Sequence, residues 1–163
     1  MALLPSVFCL LSSGCWFYSF SGASIPEHLS TVAIPIVEDR SLGGTPGLDQ
    51  ELTDLLIERF ARQTRLDLEP DEGAADAVLT AVIESYRNEP VAVTGNEVAA
   101  LNRVTISVQV VYLDQVEDEE VLARSFSQFE QYPAAEIERE AETVGTILSQ
   151  IADDIFTAAT SDW

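Results

Sequence analysis

Val104, Ile106, Val108, Val110 and Tyr112 stand at every second position of one segment, with Thr105, Ser107 and Gln109 between them. A β-strand points successive side chains to opposite faces, so this segment is a strand with one apolar and one polar face. A sheet built on it hides one face and leaves the other wet, as antiparallel sheets commonly do. Asp114 to Glu120 (DQVEDEE) then reads as an acidic hairpin loop, and Val121 to Tyr132 as the return strand. Phe126 followed by Phe129 breaks the period of two in that strand, as a bulge does. The acidic loop lacks the spacing and the Gly of an EF-hand, so it reads as a solvated tip and not as a Ca²⁺ site.

The cover for the apolar face comes from two helically spaced segments. Leu48, Leu52, Leu55, Leu56 and Phe60 share one side of a helix over 48–63, with Pro46 and Asp49 suited to its start. Ile137, Ala141, Val144, Leu148, Ile151, Ile155 and Ala158 step by four and three along a second, longer helix. Pro133, Glu136, Glu138 and Glu140 fit its N-terminal end. Thr31–Val37 is β-branched and apolar, a strand that Pro35 confines to an edge or ends. Residues 41–47 are a loop, 65–69 a short strand, and 71–76 a turn. Ala77–Tyr86 is a strand with Val78, Val82 and Tyr86 on one face and Leu79, Ala81 and Ile83 on the other. Residues 87–102 are less regular and hold Pro90 and the Thr94-Gly95-Asn96 turn signal. The order is β-α-β-β-β-β-α. It predicts an α/β (α+β) two-layer sandwich, an open sheet of four to five strands with two amphipathic helices packed on one face. A single domain spans 31–163.

Residues 1–26 carry no charged side chain. The apolar stretch Ala2–Leu11 is about ten residues long, half of the roughly 20 that a transmembrane helix needs, and Pro5 interrupts it. An apolar stretch followed by small residues has the shape of a secretory signal peptide. Leu11-Ser12-Ser13-Gly14-Cys15 resembles the bacterial lipobox, although Ser12 stands where Leu, Val or Ile is usual. Residues 1–14 are then a lipoprotein signal and 15–30 a lipidated tether. The Cys15 thiol would carry a diacylglyceryl group and its freed amine an acyl chain such as palmitate. Two or more chains make anchoring stable. Cys9 leaves with the signal, so the mature chain keeps no free thiol. Trp16 stands where an Asp would favour inner-membrane retention, which favours the outer membrane.

The chain has 28 acidic against 8 basic residues, for a net charge of −20, and every base is Arg. Phosphate binding needs a basic surface, so a nucleic-acid partner is excluded. In molar salt the Debye length falls to about 3 Å, which quiets the self-repulsion of so anionic a chain. The charge therefore points to the salt-rich medium of an extreme halophile. His28 is the one histidine, so no His-based triad or His metal cluster is expected. No GxGxxG or GxxxxGK[ST] phosphate loop occurs. The chemistry expected is that of a non-enzyme without cofactor. Trp16, Phe17, Tyr18 and Phe20 form an aromatic run near the tether.

Cys15-Trp-Phe-Tyr-Ser-Phe-Ser-Gly-Ala-Ser-Ile-Pro26, followed by Thr31-Val-Ala-Ile-Pro35 and Glu38-Asp-Arg40, resembles the start of the LptE-type LPS-assembly lipoproteins of the Bacteroidetes lineage. Leu52–Thr64 resembles that family's first helix, and 102–108 and 125–129 its later strands. The resemblance implies an outer-membrane lipoprotein, anchored on the periplasmic side. Its partner would be an LptD-like β-barrel, for which it acts as plug and assembly aid in delivering lipopolysaccharide to the outer leaflet. It carries over no catalytic residue, and Cys15 is the position that matches directly. Basic residues contact lipopolysaccharide in better-known members, and Arg87, Arg103 and Arg124 are the candidates here if they lie on the sheet. The 31–41 segment also resembles the first strand of CsgG-like and penicillin-binding-protein-activator lipoproteins. A third reading is an envelope binding module without a transport role.

Overall fold

A computed structural model describes residues 25–91 and 100–161. The signal segment, Cys15, the aromatic run and the Thr94–Asn96 turn lie outside the described residues. Strands β1 (Thr31–Ala33) and β2 (Glu38–Asp39) precede helix α1 (Leu48–Gln63). After it come β3 (Asp67–Leu68), β4 (Ala77–Val91), β5 (Leu101–Asp114), β6 (Glu119–Pro133) and helix α2 (Arg139–Ser161). They form one open sheet in the order β3-β1-β4-β5-β6, with β2 also on β4. β4, β5 and β6 are an antiparallel meander, while β1, β2 and β3 pair in parallel. The expected α+β architecture and element order are therefore present, with the first expected strand divided into two.

Both helices lie on the face to which β5 turns its apolar residues. Val104, Ile106, Val108, Val110 and Tyr112 are all fully buried. Against them pack Leu52, Leu56 and Phe60 of α1, and Ile147, Leu148, Ile151 and Ile155 of α2. Phe60 sits at the junction of three elements, 6.1 Å from Tyr112 and 5.4 Å from Phe156, edge to face with the latter. Each such large side chain contributes about 1.5–3 kcal/mol by leaving water. That total makes a staple-free core sufficient for a chain of this length. Gly47 caps α1 at φ 93°, in the left-handed region that a side chain disfavours.

Four local expectations are corrected. The 31–37 strand breaks at Ile34–Ile36 because Pro35 offers no N–H to a ladder; the Val37 N–H instead donates to Thr53 Oγ1 of α1 at 2.9 Å. Tyr86 lies on the face of Leu79, Ala81 and Ile83 and not on that of Val78. A bulge between Ile83 and Ser85 inserts one residue and shifts the alternation. Phe126 and Phe129 need no bulge, since the β5–β6 register runs unbroken from Leu122 to Pro133. Phe126 faces the helices and is buried, whereas Phe129 faces the other side and is 54% exposed. The bulge in β6 is at Val121, where the register shifts against Tyr112 and Leu113. Finally, Ile137 is 71% exposed, because α2 begins only at Arg139 and its buried stripe only at Val144. Among the described residues no helix is long and apolar enough to cross a membrane.

Candidate functional site

Because both helices use one face, no helix among the described residues covers the other face of the meander. Residues directly opposite each other on paired strands share a face. The register therefore lays Val82, Gln109 and Ser125 in one row, Ser85, Ser107 and Ser127 in the next, and Arg87, Thr105 and Phe129 in a third. Glu89, Arg103 and Gln131 form a fourth row. The Ser107 and Ser127 hydroxyls bond at 2.9 Å. The upper part of this face is cationic and aromatic: the Arg103 guanidinium lies 4.8 Å over the Phe129 ring. With its amide oxygen turned toward that guanidinium, Gln131 accepts from Arg103 at 2.7 and 3.1 Å.

The three arginines singled out from sequence do not form one cluster. Arg87 and Arg103 share the open face on neighbouring strands. Arg124 pairs with Val110 and so points to the helix side, 4.7 Å over the Phe126 ring. There it lines a groove of about 600 Å³ with Asp154, Thr157 and Ser161 of α2. All three share one property, however. Arg40, Arg59, Arg62 and Arg139 form ion pairs with Glu38, Asp153, Glu58 and Glu136, and Arg65 donates to the Leu29 and Pro26 carbonyls. Arg87, Arg103 and Arg124 make no ion pair among the described residues. In a chain this acidic, three arginines without an ion pair are a feature of the surface it shows.

Two polar clusters escaped the sequence reading. In the first, the Glu140 carboxylate at the start of α2 accepts from the Tyr86 hydroxyl at 2.6 Å and the Tyr132 hydroxyl at 3.0 Å. Asn88 and Asn102 donate to the same Tyr132 oxygen. The Tyr86 hydroxyl, followed by the Tyr132 hydroxyl and the Asn88 amide, holds the Glu140 carboxyl below its usual value against the opposing effect of burial. Burial, reinforced by Glu140, pushes the Tyr86 phenol up. In the second, His28 Nε2 lies 2.5 Å from Asp114 Oδ2, and its Nδ1 lies 3.8 Å from Glu117 Oε1. Asp114 is no solvated loop acid: it ends β5 and is 1% exposed. Burial raises its carboxyl, but bonds from His28 and from the Glu117 and Val116 N–H groups outweigh this and leave it low. The Asp114 bond in turn raises the His28 imidazole. Beside this cluster, Asp76 Oδ2 accepts the Ser30 and Thr31 N–H groups, which lower its carboxyl.

Comparison with known proteins sets this architecture in a family. The family model LptE, described as lipopolysaccharide-assembly, matches residues 29–159. The chain belongs to the LptE lipopolysaccharide-assembly family. The match takes in every strand of the sheet, α1, and all of α2 but its last two residues. No curated protein matches the chain significantly. Among solved structures, a Xanthomonas campestris protein is similar with a TM-score of 0.59 at 10% identity, over 85% of this chain and 90% of that one. An uncharacterised lipoprotein B of Nitrosomonas europaea is similar with a TM-score of 0.57 at 12% identity, over 82% and 83% of the two chains. A hypothetical protein of Chlamydia trachomatis gives 0.53 at 12% identity, over 80% and 98%. At these identities the likeness is one of fold. Membership in the LptE family makes this an envelope lipoprotein of lipopolysaccharide assembly.

Proposed function

We propose that this LptE-type protein is held in the outer membrane by lipid on Cys15, on the periplasmic side. There it serves as plug and assembly partner of an LptD-like β-barrel. The observation that carries this reading is the family match over 29–159, which spans the whole sandwich. The geometry supports it in a second way. A plug works by shape and surface, and this molecule offers a broad sheet face that its own helices leave bare. Arg87 and Arg103 on that face, with Phe129 beside them, are suited to contact lipopolysaccharide. Guanidinium groups bind phosphate in a bidentate manner, and the ring offers an apolar surface to an acyl chain. Arg124, on the helix side, would meet the barrel or the lipid at the sheet's edge. No residue is asked to make or break a bond.

The test is to isolate the full chain from membranes and to analyse both its N-terminus and what is purified with it. Mass spectrometry should find Cys15 as the first residue, carrying diacylglyceryl and an N-acyl chain, and a large outer-membrane barrel should be recovered in equal amount. An unmodified Cys15, or recovery of a cell-wall synthase in place of the barrel, would overturn the reading. Replacing Arg87 and Arg103 together by Gln should weaken lipopolysaccharide retention about tenfold or more, since charge-assisted bonds contribute about 1.5–3 kcal/mol each.

A further inference from the structure

The cluster at the hairpin end of the sheet has a geometry that surface acids alone do not produce. His28 comes from the segment before β1, and Asp114 and Glu117 from the β5–β6 connection, so the contact closes 86 residues of chain. Asp114 is buried and its Oδ1 is taken by the Val116 and Glu117 N–H groups, so its Oδ2 is fixed in place. It thereby sets the tilt of the imidazole and favours a proton on Nε2, so that in the neutral ring the Nδ1 lone pair is presented outward. Facing that lone pair at 3.8 Å is a carboxylate oxygen of Glu117. Two electron-pair donors held face to face need a cation between them, either a proton on Nδ1 or a metal ion.

We propose that His28 Nδ1 and Glu117 form a divalent transition-metal site, with Asp114 as the carboxylate that orients the ring from behind. A carboxylate, an imidazole and a metal in that sequence is a recurring arrangement, and the carboxylate makes the imidazole a stronger ligand. Zinc matches best among common ions. With Zn–N and Zn–O bonds of about 2.0–2.2 Å, tetrahedral ligand atoms stand roughly 3.3 Å apart, so a shift of about half an ångström suffices. Glu117 is 59% exposed in its side chain and His28 31%, so both are free to make that shift and water has room to complete the shell. Imidazole with carboxylate favours zinc, copper or nickel over magnesium and calcium, which take oxygen alone. The remaining charge around the ring is also anionic, with Asp76 at the start of β4 acting on the imidazole. Bound metal would clip the entry segment of the domain to the β5–β6 turn.

His28 is the single histidine of the chain, so its imidazole resonances report the site without ambiguity. The full chain, stripped with EDTA and dialysed at pH 7.5, would be titrated with zinc chloride, with magnesium chloride at equal ionic strength as the control for screening. Zinc should shift the His28 Nδ1 resonance saturably. It should raise the melting temperature by roughly 5–10 °C once it exceeds its Kd a hundredfold. Glu117→Gln leaves the His28–Asp114 bond intact and should remove most of that gain. An unmoved Nδ1 resonance at millimolar zinc would overturn the site. So would an equal gain with magnesium or an undiminished gain in Glu117→Gln; either would assign the cluster to a proton and the gain to screening.

Discussion

At the scale of single residues, the most consequential side chains are polar ones in apolar positions. Asp114 could have been found from the sequence, because it continues the phase of Val110 and Tyr112 and so falls on the core face. An acid in that phase must be paired, and the one histidine is the natural partner. Read as part of an acidic run, it was hidden among neighbours that are solvated. Glu140 was not legible at all. It looks like any acid in the first turn of a helix, and only the bulge before Ser85 turns Tyr86 toward it. Replacing Glu140 by Ala removes the acceptor of two buried tyrosine O–H groups and should cost about 1–3 kcal/mol. The sign with pH follows from the lowered carboxyl: its contribution is full above the ordinary value of 4.5 and is lost as pH falls through the folded value. Melting curves of the two proteins should therefore differ at pH 7 and converge in acid, and parallel curves at all pH would refute the assignment.

At the scale of elements, periodicity was a reliable guide wherever one face alone is buried. α1 has the bounds its apolar spacing predicts, and β5 alternates as read. Most failures are at phase changes: two bulges, a proline break, and a helix start that acids and prolines blurred; the other is the run of β4 to Val91 and of β5 from Leu101, through residues read as irregular. A single inserted residue reverses every later side chain of a strand, and no composition signal marks it. One element carries an evident reserve of stability. Gly145 lies inside α2, where glycine costs about 1 kcal/mol relative to alanine. A methyl group there would come within 3.2 Å of Glu51 Oε1, the far end of an exposed and flexible side chain. Gly145→Ala should thus raise stability by about 0.5–1 kcal/mol in chemical denaturation, and a loss would mean that the α1–α2 contact tolerates no adjustment.

For the molecule as a whole, charge is the dominant variable. Twenty negative charges beyond those the eight arginines balance are spread over a small sandwich and repel one another in dilute buffer. Raising monovalent salt from about 0.1 M to 1 M shortens the screening length from about 10 Å to 3 Å. The melting temperature should climb steadily over that range and continue upward in molar salt. A flat profile would show that the surface charges are far enough apart to be indifferent to their number. The sandwich and its two helices were legible at this scale because they follow from burial. Which four of the eight arginines would form ion pairs was beyond the sequence, since it depends on which acids the fold brings near.

The entry segment, the β5–β6 turn and the beginning of β4 lie together at one end of the sheet, as the bonds of His28 and Asp76 require. β4 then runs 15 residues away from that end, or roughly 50 Å. Nine residues separate Cys15 from Ile25, and the ten steps along the chain reach at most about 35 Å. If Cys15 carries the proposed lipid, a leash of that length keeps the His28 end of the sheet within reach of the headgroups, and the start of α2, at the opposite end, is the part free to face an LptD-like partner.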